Sequence, residues 1–278
     1  MTSGTDTQSP AYTAEINQWR QTIEERLRAE DGWLALIGLY WLSEGRNTVG
    51  SDPGSDIPLP NAPGRIGVIT LQDGTASFAA EPDVAVTVDD APIATTLLRD
   101  DHDKAGPSLV KVGTITFYVI KRGDQYGVRA RDTTNPARLE FEGRHWFAID
   151  PAYCVTGKLI LHTPARVLQV INSVGQIAPM GNPGRVEFEL NGQSFALEAF
   201  AAGAAGDEVW FVFKDQTSGQ STYGAGRFMY APVTPDGMVT LDFNKAYHPP
   251  CAFTPYATCP RPPQDNVLPV SIEAGERH

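Results

Sequence analysis

The stretch Val186-Glu-Phe-Glu-Leu190-Asn191-Gly192-Gln-Ser-Phe195-Ala-Leu197-Glu-Ala199 places apolar side chains at alternate positions on both sides of an Asn-Gly pair. A period of two is the pattern of a half-buried strand, and Asn-Gly supplies the positive φ angles of a two-residue hairpin turn. The stretch therefore predicts an antiparallel hairpin. Downstream, residues 209–213 (VWFVF) are continuously apolar, as in a central strand, and Pro235-Asp236-Gly237 is expected to turn 228–231 back into 238–243. Upstream, 66–71, 76–79 and 114–120 read as strands, with Asp73-Gly74 and Arg122-Gly123-Asp124 as turns and Tyr126, Val128 and Ala130 continuing the alternation. Val84, Val86 and Val88 alternate as well. Strands this short and closely spaced predict a sandwich or barrel. Before them, Ile16, Trp19, Ile23 and Leu27 recur at helical spacing, with Thr13 as the expected N-cap. The segment from Trp33 to Trp41 has nothing polar interleaved between Leu34 and Tyr40 and is expected to be buried core.

Composition narrows the classes. The 278 residues carry 33 Asp and Glu against 22 Lys and Arg, a net charge of −11, and the basic residues are scattered. A nucleic-acid partner needs a basic stripe, so none is expected. No apolar run approaches the roughly 18 residues of a spanning helix, so no membrane partner is expected either. Three cysteines are an odd number, and the N-terminus lacks a basic-then-apolar leader; both point to a cytoplasmic protein instead of a secreted disulfide scaffold. The 26 glycines and 22 prolines are dispersed and mark turns. Around Thr133-Thr134-Asn135-Pro136 the chain is expected to divide: a tail and amphipathic helix over 1–29, a first β-domain over 30–134, and a second antiparallel β-domain over 135–278.

The densest chemistry lies in 241–259, LDFNKAYHPPCAFTPYATC, where prolines shape a non-repetitive loop. Cys251 and Cys259 stand eight apart. With His248 and a carboxylate from Asp242 or Glu273 they could ligate a metal, but the spacing is not that of a repeated zinc pair. A disulfide, a reactive thiol and a pair of buried structural thiols are the other readings. His248 lies three residues from Cys251, yet Pro249 and Pro250 extend the chain between them, so a thiol–imidazole pair is not implied. Arg227, behind the glycines of 219–226, could fork onto a carboxylate or phosphate; its structural counterpart is a turn in which Asp215 caps its own backbone and Arg227 bridges to an acid. Glu273 and Glu276 flank Gly275 and offer a pair of acids.

Two resemblances accompany these readings. Gly45-Arg-Asn-Thr-Val-Gly50-Ser51-Asp-Pro-Gly-Ser-Asp-Ile-Pro-Leu-Pro60, with 88–93 (VDDAPI) and 112–115 (VGTI), resembles the forkhead-associated (FHA) fold, which implies a β-sandwich that reads phosphothreonine. The family's phosphate-gripping arginine is Ser51 here, and its Ser-Arg-x-His segment is Gly64-Arg65-Ile66-Gly67. Over 30–276 the chain resembles the uncharacterised family DUF1684, carried by 32–34 (GWL), 38–42 (GLYWL), 215–219 (DQTSG), 222–228 (TYGAGRF), 241–244 (LDFN), 249–260 (PPCAFTPYATCP) and 272–276 (IEAGE). Position 248 departs from that pattern's asparagine and Cys154 from its arginine. The family implies no activity. The expected fold is mainly β: an N-terminal helix, an FHA-like β-sandwich and a second antiparallel β-domain with the Cys/Pro-rich loop. The expected function is a small polar or anionic ligand site in that second domain, with hydrolysis the least demanding chemistry. Arg227 would clamp the anion, Asp242 and Glu273 would serve as acid and base, and Tyr223, Asn244 and Tyr256 would orient the ligand. The competing reading is a non-catalytic module that binds a protein partner through the FHA-like domain, the Cys/Pro loop being structural. A site requires Arg227, Asp242, Asn244 and Glu273 to converge on a concavity. A module leaves them dispersed or mutually paired, with an apolar patch on the first domain.

Overall fold

The computed structural model describes residues 10–202 and 206–278. The protein is mainly β, with an N-terminal helix and antiparallel sheets. Helix α1 (Pro10–Arg28) carries the predicted stripe, but it begins at Pro10. Proline's fixed φ suits a first helical position, so Thr13 lies inside the helix and does not cap it.

The chain forms two compact units, one of them Leu27–Phe141. It holds β1 (Leu36–Trp41), β2 (Gly45–Gly50), β3 (Ile57–Pro58), β4 (Gly67–Gln72), β5 (Thr75–Ala80), β6 (Thr87–Val88), β7 (Ala91–Pro92), β8 (Thr95–Leu98), β9 (Val110–Val112), β10 (Ile115–Arg122), β11 (Gln125–Asp132) and the short helix α2 (Pro136–Leu139). Two sheets, ordered β1-β11-β10-β9-β6-β7 and β3-β2-β4-β5-β8, enclose one core. Phe78 of one sheet meets Phe117 of the other edge-on at 5.7 Å. This is a β-sandwich. The Asp73-Gly74 turn has the positive φ angles its sequence implies, 48° and 75°. Two expectations fail. Val84, Val86 and Val88 yield ladder pairing only at 87–88, although Val86 and Val88 are buried in the core. Trp33 is half-buried with the Arg129 guanidinium 5.2 Å from its ring, and Trp41 is 38% exposed. Their large amphipathic rings lie at the surface while Leu34, Ala35 and Leu36 supply the buried side chains.

The other unit joins the start of the chain, up to Arg26, to Glu142–His278. After β12 (His145–Trp146) come β13 (Cys154–Ile171), β14 (Ile177–Leu190), β15 (Gln193–Ala202), β16 (Glu208–Phe213), β17 (Arg227–Pro232), β18 (Met238–Asp242) and β19 (Glu276–Arg277). Six strands form one sheet in the order β17-β16-β15-β14-β13-β18. Its outer strands meet at a bridge between Val233 and Val239, so the sheet curls around Phe188, Leu197, Phe211, Phe213, Met229 and Leu241. The Asn191-Gly192 hairpin is present, with Leu190 opposite Gln193 and φ angles of 52° and 73°. The apolar run of β16 lies between β15 and β17. The turn at 235–237 also forms, but its flanking strands pair elsewhere, β17 with β16 and β18 with β13. In a curled sheet that turn joins two opposite edges. Helix α1 packs here through Trp19, whose ring lies edge-on to Trp146 and Tyr247 at 5.8 and 6.1 Å. Among the described residues no helix is long and apolar enough to cross a membrane.

Candidate functional site

The predicted residues occupy three separate places in the C-terminal unit. Arg227 is completely buried, paired with Asp215 at 2.6 Å, and donates to the carbonyls of Ala274 (2.5 Å) and Ile272 (3.0 Å). Asp215 also accepts from Thr217 N at 2.7 Å. Gly226, at φ 102°, makes the turn possible: a Cβ there would lie 2.5 Å from the Phe213 carbonyl oxygen. Arg227 therefore ties the C-terminal segment to β17 and is not an anion clamp.

Asp242 and Asn244 form a second knot. Asp242 accepts from the Tyr12 hydroxyl at 2.9 Å and from Asn244 N at 3.1 Å. Asn244 Nδ2 donates to Tyr12 Oη and to Asp150 O, and its Oδ1 accepts from Asp150 N. Asn244 is fully buried, and Asp242 nearly so. Both serve to seat α1 and the segment at Asp150 on the unit, so Asp242 is not placed as a catalytic acid. Glu273 is exposed and takes no part in either knot. The four residues are paired or dispersed, and they do not converge.

A third set does converge. Gly275 lies at φ 79°, where a Cβ would approach the Ala246 carbonyl oxygen to 2.4 Å. This close passage buries Glu276 beneath the loop that starts at His248. Glu276 pairs with Arg144 at 2.5 Å and accepts from His248 N at 2.6 Å, with His248 Nδ1 3.7 Å away. Burial pushes the Glu276 carboxyl up to about 7 despite the pull of Arg144. Burial, reinforced by Arg227, pushes the His248 imidazole down to about 3, so the ring is neutral. Its Nε2 accepts from Tyr223 N at 3.1 Å.

Tyr223 leads to the cavity. Its hydroxyl donates to Cys251 O at 2.9 Å. Residues Ser173, Tyr223, Cys251, Thr254, Cys259 and Arg261 are among those lining a concavity of about 260 Å³. The Ser173 hydroxyl donates to Ala257 O at 2.7 Å and accepts from Cys259 N at 3.1 Å, fixing the loop against the tip of the β13–β14 hairpin. Cys251 N donates to Cys259 Sγ at 3.3 Å. The Cys251 thiol is lowered to about 7, first by its hydrogen bond to Cys259 and then by Tyr223 and Arg261, against the opposing effect of burial. Cys154 is the contrast: burial and Asp242 push it up to about 11. Tyr256 is half-buried next to the cavity and its backbone N donates to Thr254 Oγ1. The metal reading fails on direction, because both nitrogens of His248 face Tyr223 N and Glu276 and not the thiols. Among the described residues, three or more His, Cys, Asp or Glu ligand atoms come together only at Asp100, Asp101 and His102.

Of the residues singled out in the sequence, Tyr223, Cys251 and Cys259 meet in the cavity, and His248 supports Tyr223 from behind. Ser173, Arg261 and Arg144 were missed. Arg261 is two residues beyond Cys259 and could have been read as its cation; Ser173 and Arg144 come from distant segments and carry no local signal.

These features describe a protein with a curled antiparallel sheet whose cross-connections support a thiol-bearing cavity. Residues 139–277, half of the chain, match the family described as "Protein of unknown function (DUF1684)", and the chain belongs to that family. It is similar to an uncharacterised protein of Haloarcula marismortui solved by solution NMR, at 33% identity over 51% of this chain and 79% of that one, with a TM-score of 0.43. It is also similar to the FHA domain of FhaA in complex with the intracellular domain of Rv3910, at 19% identity over 34% of this chain and 97% of that one, with a TM-score of 0.24. None of the curated proteins matches the chain.

Proposed function

We propose that the C-terminal unit holds a small anionic ligand in the cavity between Tyr223, Cys251 and Arg261. The observation that carries this reading is the meeting of an exposed guanidinium and a half-buried, acidified thiol on one concavity. Arg261 takes the role expected of Arg227, because its side chain lies at the surface. A volume of about 260 Å³ suits a ligand of metabolite size and nothing larger. Cys251, not a carboxylate pair, is the group available for chemistry there. His248 is not its base, since the imidazole acceptor is occupied by Tyr223 N. A cytoplasmic setting would keep the thiol reduced.

The test is an NMR or calorimetric titration of the reduced protein with inorganic phosphate and a panel of small carboxylates. Saturable binding is expected, weakened about tenfold or more in Arg261→Ala at unchanged melting temperature. Absence of saturable binding by any of them would end this reading in favour of a non-catalytic interaction protein. One observation favours that second reading: Leu161, Val167 and Ile177 of the β13–β14 hairpin are 65%, 61% and 65% exposed. That apolar surface belongs to the C-terminal unit, whereas the module reading had assigned it to the first β-domain.

A further inference from the structure

We infer that Cys251 and Cys259 are a redox-active pair, in which a hydroperoxide oxidises Cys251 and Cys259 closes the oxidised sulfur into an intrachain disulfide. The inference is independent of any anion in the cavity and needs only the two sulfurs and the opening beside them.

The geometry supports it in three ways. The two thiols are already in contact: the Cys251 side chain is hydrogen-bonded to Cys259, and Cys251 N donates to the Cys259 sulfur at 3.3 Å. A disulfide requires Cα atoms within about 7 Å, a separation that sulfurs in hydrogen-bond contact satisfy with little backbone movement. The contact is built, not incidental. A 3-10 turn at Pro250–Ala252 starts the loop, and Ser173 fixes its far end through Ala257 O and Cys259 N. Finally, both sulfurs line the same cavity, with Cys251 half-buried and Cys259 behind it at 6% exposure. The accessible sulfur is thus the one that meets the oxidant, and the covered one is positioned to resolve it. The pKa of Cys251 near 7 provides thiolate at neutral pH, which is the nucleophilic form.

The chemistry balances. The Cys251 thiolate attacks one oxygen of the hydroperoxide; an S–O bond forms, the O–O bond breaks, and the departing alkoxide or hydroxide takes a proton from water. The Cys251 sulfenic acid is then attacked by Cys259, which gives up its proton; the S–S bond forms, the S–O bond breaks and water leaves. Two thiols are oxidised by two electrons and the hydroperoxide is reduced to an alcohol, or to water in the case of hydrogen peroxide. A thiol reductant reverses the change. The disulfide removes the thiolate from the cavity, so the oxidised and reduced proteins present different surfaces to any ligand.

The experiment treats the reduced full-length protein with a few equivalents of hydrogen peroxide, alkylates what remains, and reads intact mass and cross-linked peptides. Two of the three cysteines should resist alkylation, joined as a Cys251–Cys259 peptide. Cys259→Ser should leave a dimedone-reactive sulfenic acid at Cys251, and Cys251→Ser should leave both remaining thiols free. Before oxidation, Cys251 should alkylate at neutral pH about a hundredfold or more faster than Cys154, whose thiol is held near 11. If Cys259→Ser does not fold, the wild-type cross-link and the alkylation ratio decide. A cross-link that involves Cys154, no cross-link at all, or equal alkylation of Cys154 and Cys251 would overturn the inference.

Discussion

The Asp215–Arg227 pair and the Cys251–Cys259 cavity are built from the same materials: polar side chains on loops rich in glycine and proline, held against the C-terminal segment. Their fates differ. Around Arg227, both terminal guanidinium nitrogens are spent on Asp215, Ala274 and Ile272, and the pair has no solvent exposure. At the cavity, an exposed guanidinium and an acidified thiol face open space. The density of polar residues is therefore no guide to a site. What distinguishes a knot from a site is whether its strong donors and acceptors have already been used.

The largest effect should come from breaking the knot. Arg227→Met leaves Asp215 buried without its cation, and stability should fall by about 3–5 kcal/mol in chemical denaturation. The folded fraction should keep the wild-type rate of Cys251 alkylation, because the cavity does not draw on that pair. A variant of near-normal stability with a slowed thiol would erase the distinction between the two regions.

The Arg144–Glu276–His248 group stands between them, buried like the knot but bonded to the cavity through Tyr223, and pH probes it. Glu276 is raised from an ordinary 4.5 to about 7, so between those values the folded state binds the proton that the unfolded state has lost. That contribution makes stability fall as pH rises. His248 is lowered from 6.5 to about 3, so the unfolded state binds the extra proton in that window and stability rises with pH. From about 4.5 to 6.5 the two slopes oppose and the wild-type profile should be nearly flat from these groups. Glu276→Gln should expose the rising limb, and His248→Asn the falling one, each amounting to about 3 kcal/mol between pH 4 and 7. Denaturation midpoints of the three proteins from pH 4 to 8 measure this. Parallel profiles for all three would show that neither group is tuned as the burial implies.

The sequence made the scaffold more legible than the site, for a physical reason. Strand alternation and Asn191-Gly192 are local signals, set by residues that pair with near neighbours, and they read correctly through β14, β15 and β16. The alternation at Val84 to Val88 misled because burial, not ladder pairing, was its cause. At the turn of 235–237, local chemistry was right and the partner strands were wrong, since sheet curling is a property of six strands together. The site behaves like that turn. Tyr223, Cys251 and Cys259 were visible as chemistry, but their convergence depends on Ser173, which lies 84 and 86 residues from its partners Ala257 and Cys259. Arg227, Asp242 and Asn244 had equal chemical appeal, and only the inventory of their hydrogen-bond partners removed them from the site.

The Asp242–Asn244 knot offers the smallest and sharpest test of that inventory. Tyr12 reaches it from α1, 230 residues away, donating to Asp242 and accepting from Asn244. Tyr12→Phe keeps the ring and deletes only the hydroxyl, so Asp242 Oδ1 loses one donor while Asn244 N and Nδ2 remain as its others. The expected cost is about 1–2 kcal/mol, the value of one buried bond to a charged group with partial compensation. If Asp242 belonged to a catalytic or ligand-binding centre, the same change would alter phosphate or carboxylate binding as well. The knot reading requires the two measurements to separate: a lowered denaturation midpoint for Tyr12→Phe, together with a ligand titration and a Cys251 alkylation rate that match the wild type.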